Sequence, residues 1–235
     1  MSPGSAGPDD RPVTVAPDGS DLRQIVDVHV EYPDWSPDGK RIAFEGWDDS
    51  DPARTGIYTA RFGDGGGLIR VTTRPGDFHD IPLDYSPDGK QLVFYRSVGV
   101  DPDSSVGGSL WVVGVNGAGK HKIVSASDRP APWARWSPDG RRILFANERT
   151  APTSAIWTVA PDGSRLTQLF RDYEGRFPIQ PVWSPDGSQV LFALDPTNDQ
   201  FTHPNNGLYV VDVNGTGLAL VNGSRDFKSQ PEWFP

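Results

Sequence analysis

The sequence Gln180-Pro-Val-Trp-Ser-Pro-Asp-Gly187 occurs with small changes at three other places, and a shortened copy follows at Gln230-Pro-Glu-Trp-Phe-Pro235. The three other copies are Tyr32-Pro-Asp-Trp-Ser-Pro-Asp-Gly39, Pro82-Leu-Asp-Tyr-Ser-Pro-Asp-Gly89 and Trp133-Ala-Arg-Trp-Ser-Pro-Asp-Gly140. The serines of the four full copies, Ser36, Ser86, Ser137 and Ser184, are separated by 50, 51 and 47 residues. A repeat of this length with strand-like content indicates the blades of a β-propeller.

Each repeat contains four short runs of β-branched, aliphatic and aromatic residues between turn signals, which is typical of strands. In the first repeat, strand a ends at Trp35 and the turn Ser36-Pro-Asp-Gly39 leads to strand b at Arg41-Ile-Ala-Phe44. Strand c follows at Ile57-Tyr-Thr59 and strand d at Leu68-Ile-Arg-Val71. Because no long stretch shows a helical period, we predict an all-β propeller of about five four-stranded antiparallel blades.

The Trp-Ser-Pro-Asp-Gly turn followed by an Ile-Ala-Phe-like strand resembles the TolB-type β-propeller repeat, a relative of the WD repeat. The resemblance covers residues 13 to 235. It implies that a C-terminal strand completes a blade begun at the N-terminus. It also implies a binding scaffold, since propellers of this type commonly bind partners. Relatives are often periplasmic or exported, but the first residues lack the basic start and apolar core of a signal peptide, so the compartment stays open.

The closing blade is predicted to lack one strand. Residues 12–16 and 22–26 supply its strands c and d, and residues 230–234 supply strand a, but residues 1–11 look like a flexible lead-in without a strand b. Two explanations stay open, a lost upstream strand and a naturally three-stranded blade. In either case residues 12–235 are expected to form one propeller domain, and the incomplete blade could support self-association through its unpaired edges.

The strand order predicts two different faces for the molecule. The a–b and c–d connections are tight turns on one face, whereas the longer b–c and d–a connections lie on the other, which we call the long-loop face. Variable loops on a rigid scaffold commonly carry binding residues. We therefore expect any functional site on the long-loop face and at the mouth of the central channel.

Charged and histidine side chains on the long-loop face and the inner strands are the candidates for partner contact. These residues are His29, Asp34, His79, Asp84, Arg129, Arg135, Arg176, His203 and Glu232. His29, His79 and His203, with nearby acidic residues, are weak candidates for a divalent metal site. No tight spacing such as H-x-x-x-H supports that site, so no metal or cofactor is predicted.

The composition and motifs limit the function classes. The net charge of −9 argues against nucleic-acid binding, which needs a basic face, and no apolar run is long enough to cross a membrane. The chain has no cysteine and no G-x-S-x-G nucleophile motif. We expect a non-catalytic scaffold for a protein or peptide partner. The alternatives are a metal-assisted polysaccharide lyase or glycosidase, and an accessory propeller of a larger peptidase or sensor.

Overall fold

The computed structural model describes most of the repeat region of the chain. The described residues are 13–14, 18–20, 23–24, 29–48, 51–73, 78–98, 107–147, 154–172, 177–195, 207–222 and 233. The chain divides into two compact units. Unit 1 comprises Met1–Val106 and Trp111–His121, and unit 2 comprises Gly107–Leu110 and Lys122–Pro235.

Within the described residues, sixteen strands form four four-stranded antiparallel sheets, which are the blades of the propeller. Blade 1 contains β3 (His29–Trp35), β4 (Arg41–Trp47), β5 (Gly56–Arg61) and β6 (Ile69–Arg70). Blade 2 contains β7 (Phe78–Tyr85), β8 (Gln91–Val98), β9 (Gly108–Gly114) and β10 (His121–Val124). Blade 3 contains β11 (Pro130–Trp136), β12 (Ile143–Asn147), β13 (Ala155–Val159) and β14 (Thr167–Arg171). Blade 4 contains β15 (Phe177–Trp183), β16 (Gln189–Asp195), β17 (Gly207–Asp212) and β18 (Ala219–Asn222).

The remaining described elements are short. Strands β1 (Val13–Thr14) and β2 (Arg23–Gln24) pair antiparallel, as expected for strands c and d of the closing blade. Two 3-10 turns, Pro52–Arg54 and Ala126–Asp128, are the helical elements of the described chain. These findings confirm the all-β propeller fold. The predicted strand a of the closing blade lies outside the described residues except for Trp233, and the single-domain boundary stays a prediction.

The Ser-Pro-Asp-Gly turns are held by the same side-chain hydrogen bonds in all four blades. In blade 4, the Ser184 hydroxyl donates to Asp186 at 2.6 Å and accepts the Gln189 N–H at 2.9 Å, while Asp186 accepts the Ser188 N–H at 3.0 Å. Gly187 has a φ of +71°, which suits glycine. The turn therefore joins strands a and b through side chains as well as backbone, which explains why its sequence repeats.

Two of the aromatic residues just before the repeat serines, Tyr85 and Trp183, pack one blade against another within their unit, whereas Trp35 is 50% exposed. In unit 1, Tyr85 of blade 2 is buried with Ala43 and Ile57 of blade 1. In unit 2, Trp183 of blade 4 is buried with Leu144 and Ile156 of blade 3. The interpretation of these repeated aromatic residues as blade-to-blade packing is confirmed for Tyr85 and Trp183.

The glycines of the c–d hairpins also contact the preceding blade. Gly117, Gly163 and Gly215 have φ values of +83°, +82° and +83°. A Cβ atom placed on Gly215 would lie 2.7 Å from the Leu169 carbonyl oxygen, and one on Gly117 would lie 3.1 Å from that of Val71. Each hairpin therefore presses glycine backbone against strand d of the blade before it.

Candidate functional site

Strand order places the ends of several strands of unit 1 together at the long-loop face. The first strand of a blade starts there, the second strand ends there, and in a propeller the first strand lies next to the central channel. In unit 1 these ends bring His29, Glu45, Trp47, His79 and Arg96 into one region, which we call the rim cluster together with Asp80.

Glu45 and His79 form a buried contact between blades 1 and 2. The Glu45 Oε1 atom lies 2.8 Å from His79 Nδ1, and Glu45 is only 2% exposed. Burial is the main effect that raises the pKa of Glu45 above its ordinary value of 4.5, and the hydrogen bond with His79 partly opposes it. The other ring nitrogen, His79 Nε2, is buried and makes no hydrogen bond within the described structure.

Asp80 and Arg96 form a second buried ion pair directly beside the first. The two residues face each other in the β7–β8 ladder, and their bidentate contacts measure 2.6 and 2.7 Å. The Arg96 guanidinium also lies 5.0 Å from the Trp111 ring centre and 5.7 Å from that of Phe94. The two hydrogen bonds to Asp80 and the neighbouring aromatic rings hold the planar Arg96 guanidinium in one orientation.

The first strand of each blade carries a backbone irregularity. Each of the four first strands has a shift in register before the repeat serine, as produced by a β-bulge. Tyr32 and Gln180 at two of these bulges have positive φ values of 52° and 49°. Left-handed backbone at residues other than glycine is costly, and it concentrates at sites where side chains must point in a set direction.

The structure divides the predicted candidates into two groups. His29, His79 and Arg129 lie at the long-loop ends of their blades, and His29 stacks on Trp47 with ring centres 5.4 Å apart. Asp34, Asp84 and Arg135 lie near the opposite ends of the same first strands, by the tight turns.

Two residues near the turns contact a neighbouring blade, Asp34 through its side chain and Arg135 through its backbone. The Asp34 carboxylate accepts the Tyr85 backbone N–H at 3.1 Å in unit 1. The Arg135 carbonyl accepts the Trp183 indole N–H at 3.2 Å in unit 2. Arg176, His203 and Glu232 lie outside the described residues.

The described part of the chain contains neither a cluster of metal-binding side chains nor a membrane-spanning helix. There, no three His, Cys, Asp or Glu side chains come together as they would to hold a metal ion. Of the weak metal candidates, His79 is bonded to Glu45 and His203 is outside the described part. No helix among the described residues has the length and apolar character needed to cross a membrane.

Comparison with known proteins places this architecture in a family. The family described as TolB beta propeller domain matches residues 21–235. The chain belongs to this family. A comparison of the TolB β-propeller chain with curated proteins finds no match.

Solved structures with the same fold include both TolB proteins and an enzyme. TolB from Acinetobacter baumannii aligns with a TM-score of 0.64 and 19% identity over 92% of this chain and 50% of that chain. A TolB-type structure from Agrobacterium tumefaciens aligns with a TM-score of 0.62 and 21% identity over 92% of this chain and 82% of that one. An oligogalacturonate lyase in complex with manganese aligns with a TM-score of 0.64 and 14% identity, covering 92% and 60%. The chain thus spans half the length of the A. baumannii TolB, and these likenesses show the fold alone.

Sequence reasoning missed four members of the rim cluster in this TolB β-propeller, Trp47 and three charged residues. Glu45, Asp80 and Arg96 lie within or beside apolar strand runs and were not among the candidates. Alignment of the repeats on their serines contains the missing signal, because the position of Glu45 is Tyr95, Ala146 and Ala193 in the later blades. A charged residue at a position that other blades fill with apolar or aromatic residues is not demanded by the fold.

Proposed function

We propose that this chain is a non-catalytic binding module that contacts a protein or peptide segment with the long-loop face and the mouth of its channel. One observation carries the proposal. A buried carboxyl–imidazole pair, Glu45–His79, and a buried ion pair, Asp80–Arg96, lie at the long-loop end of unit 1, where blades 3 and 4 have neither at the matching described positions. Buried charges cost free energy unless they are paired, so charges that the repeat does not require favour a functional role.

The way these side chains are hydrogen-bonded to one another favours partner binding over catalysis. The His79 imidazole is oriented by Glu45, and the Arg96 guanidinium is held by Asp80 on two hydrogen bonds. Buried side chains locked to one another hold the strand ends around them in one geometry, which lowers the entropy lost when a partner binds there. A general acid or base would instead have to exchange protons with a substrate during each turnover.

The test compares two substitutions of arginine in the same blade. Arg129→Glu changes the charge at the long-loop end of blade 3, whereas Arg141→Glu changes it at the exposed tight turn on the opposite face. Partners captured on immobilised protein would be purified, and their affinities measured by calorimetry. We expect Arg129→Glu to weaken binding by about tenfold or more and Arg141→Glu to leave it unchanged, as for a charge in or outside an interface.

Two outcomes would contradict the proposal. Equal loss of binding in both variants would place the partner elsewhere. Cleavage of oligogalacturonate or another polysaccharide by the purified chain, with or without added manganese, would favour the lyase or glycosidase alternative.

A further inference from the structure

The Glu45–His79 contact joins two blades through a single shared hydrogen bond. Glu45 belongs to β4 of blade 1 and His79 to β7 of blade 2, and both strands lie within unit 1. The carboxylate is almost fully buried, while the His79 side chain keeps 24% of its surface exposed. His79 is therefore the more exposed member of the pair.

In unit 2, the matching contact between neighbouring blades is made without charged residues. The positions that match Glu45 and His79 between blades 3 and 4 hold Ala146 and Phe177. Ala146 is 2% exposed, so its strand is buried as deeply as that of Glu45. Because apolar residues suffice there, packing alone does not explain why a carboxylate and an imidazole occupy this position between blades 1 and 2.

The charges around the pair are mainly negative. Glu31 faces Glu45 in the β3–β4 ladder, and Asp80 follows His79 in β7. Both carboxylates add to the effect of burial in raising the pKa of Glu45. Loss of a proton from the pair thus leaves an extra negative charge next to two others.

The two neighbouring guanidinium groups are already engaged with other carboxylates. Arg96 of β8 is bound by Asp80, and Arg54 of the 3-10 turn is bonded to Asp48. His29 starts β3 and is stacked on Trp47. Within the described part of unit 1, His79 is therefore the basic side chain that contacts the Glu45 carboxyl group.

We propose that the Glu45–His79 pair is a pH-sensitive latch between blades 1 and 2. When the pair holds one proton beyond the Nδ1–Oε1 hydrogen bond, it is neutral overall and fastens the two blades. When that proton leaves, the pair keeps a buried negative charge beside Glu31 and Asp80. The contact between blades 1 and 2 at the long-loop end is then less stable.

The sign of the pH effect follows from linkage. A carboxyl group whose pKa is raised by folding contributes stability below its unfolded value, and this contribution is lost as the pH rises through the folded value. The ordinary pKa of Glu45 is 4.5 and its folded value lies above that. The unfolding midpoint is therefore expected to fall as the pH rises from 4.5, through the raised pKa of folded Glu45, to the alkaline range.

The experiment measures the thermal unfolding midpoint of the full chain across this pH range. Glu45→Gln keeps a hydrogen-bonding side chain but cannot carry charge, and we expect it to remove the fall in midpoint and to unfold at a higher temperature than wild type at the alkaline end. Asp64→Asn, which removes an exposed carboxylate in the β5–β6 hairpin of the same blade, is the control and should keep the fall. The same fall in Glu45→Gln as in wild type would overturn the latch.

A second variant covers the case in which Glu45→Gln folds poorly. The double substitution Glu45→Ala with His79→Phe installs the residues that occupy the matching positions of unit 2, and we expect it to fold and to lose the pH-dependent fall. Hydrogen exchange of the β4 and β7 amides should show faster opening at alkaline pH in wild type, after correction for intrinsic rates, and not in the double variant. Equal opening in both would also overturn the latch.

An effect of the latch on partner binding rests on the proposed function. The stability and exchange measurements use the free chain. Failure of the latch and failure of the binding role are therefore distinguishable.

Discussion

At the level of single residues, the aspartate of each Ser-Pro-Asp-Gly turn contributes more to the stability of the fold than its exposed position suggests. Serine and backbone donors lower the pKa of Asp38, Asp88, Asp139 and Asp186, the last to about 2. Hydrogen bonds to the charged form favour that form, so each turn is stabilised by an ionised carboxylate. The sequence predicted the turn from its residue types, and the hydrogen bonds explain why serine and aspartate occur together.

Substitution of one turn aspartate should change how the protein responds to acid. A depressed pKa contributes stability above the unfolded value of 3.8, and that stability is lost as the pH falls towards about 2. Asp186→Asn is expected to lower the unfolding midpoint at neutral pH, and the difference from wild type should shrink near pH 2. Thermal unfolding monitored by circular dichroism over this range checks the result. Asp128→Asn, outside the turns, is the control, and a constant difference at all pH values would contradict the explanation.

At the level of elements, the c–d hairpins join the blades through backbone contact. Their Asp-Gly and Asn-Gly pairs were predicted as turns from residue type, since both central positions suit left-handed backbone. The sequence did not predict that the hairpin glycine rests on strand d of the blade before it, because this contact joins residues about 46 positions apart, as for Gly215 and Leu169. The contact depends on how blades stack, which a local pattern does not encode.

Alanine substitutions at two hairpin glycines separate the cost of backbone conformation from the cost of contact. Gly119 has a φ of +67° and open space around its Cβ position, so Gly119→Ala should lose about 1–2 kcal/mol from the left-handed backbone alone. Gly215→Ala meets the same backbone cost and also the Leu169 carbonyl at 2.7 Å, which adds about 1–3 kcal/mol of overpacking. Denaturant unfolding measures both, and equal losses would show that the blades move apart freely at this hairpin.

At the level of the whole molecule, the charge of the chain sets the kind of partner that approaches it fastest. The net charge is −9, and the proposed binding role requires encounter with another surface. Long-range fields of this sign attract basic partners and repel acidic ones. We therefore expect a captured partner to present a basic or neutral segment to the long-loop face.

The association rate tests this expectation through its salt dependence. With the captured partner, stopped-flow measurements should show an association rate that falls about tenfold or more between low salt and roughly 0.5 M salt, because mobile ions screen the attraction. The dissociation rate should change much less. An association rate that rises with salt would indicate an acidic partner and contradict the charge argument.

The sequence by itself determined the repeat, the order of strands in each blade, the turns and the family, because these depend on residue type and spacing over a few positions. It also identified His29 and His79 as candidates from their equal distance before the repeat serine. Only the tertiary structure joined His79 to Glu45, and Asp80 to Arg96. The tertiary structure also shows that the Asp34 carboxylate accepts a hydrogen bond from the Tyr85 backbone N–H in the next blade. Those pairings depend on how strands and blades align in space, and a buried charge acquires its role from the group that faces it.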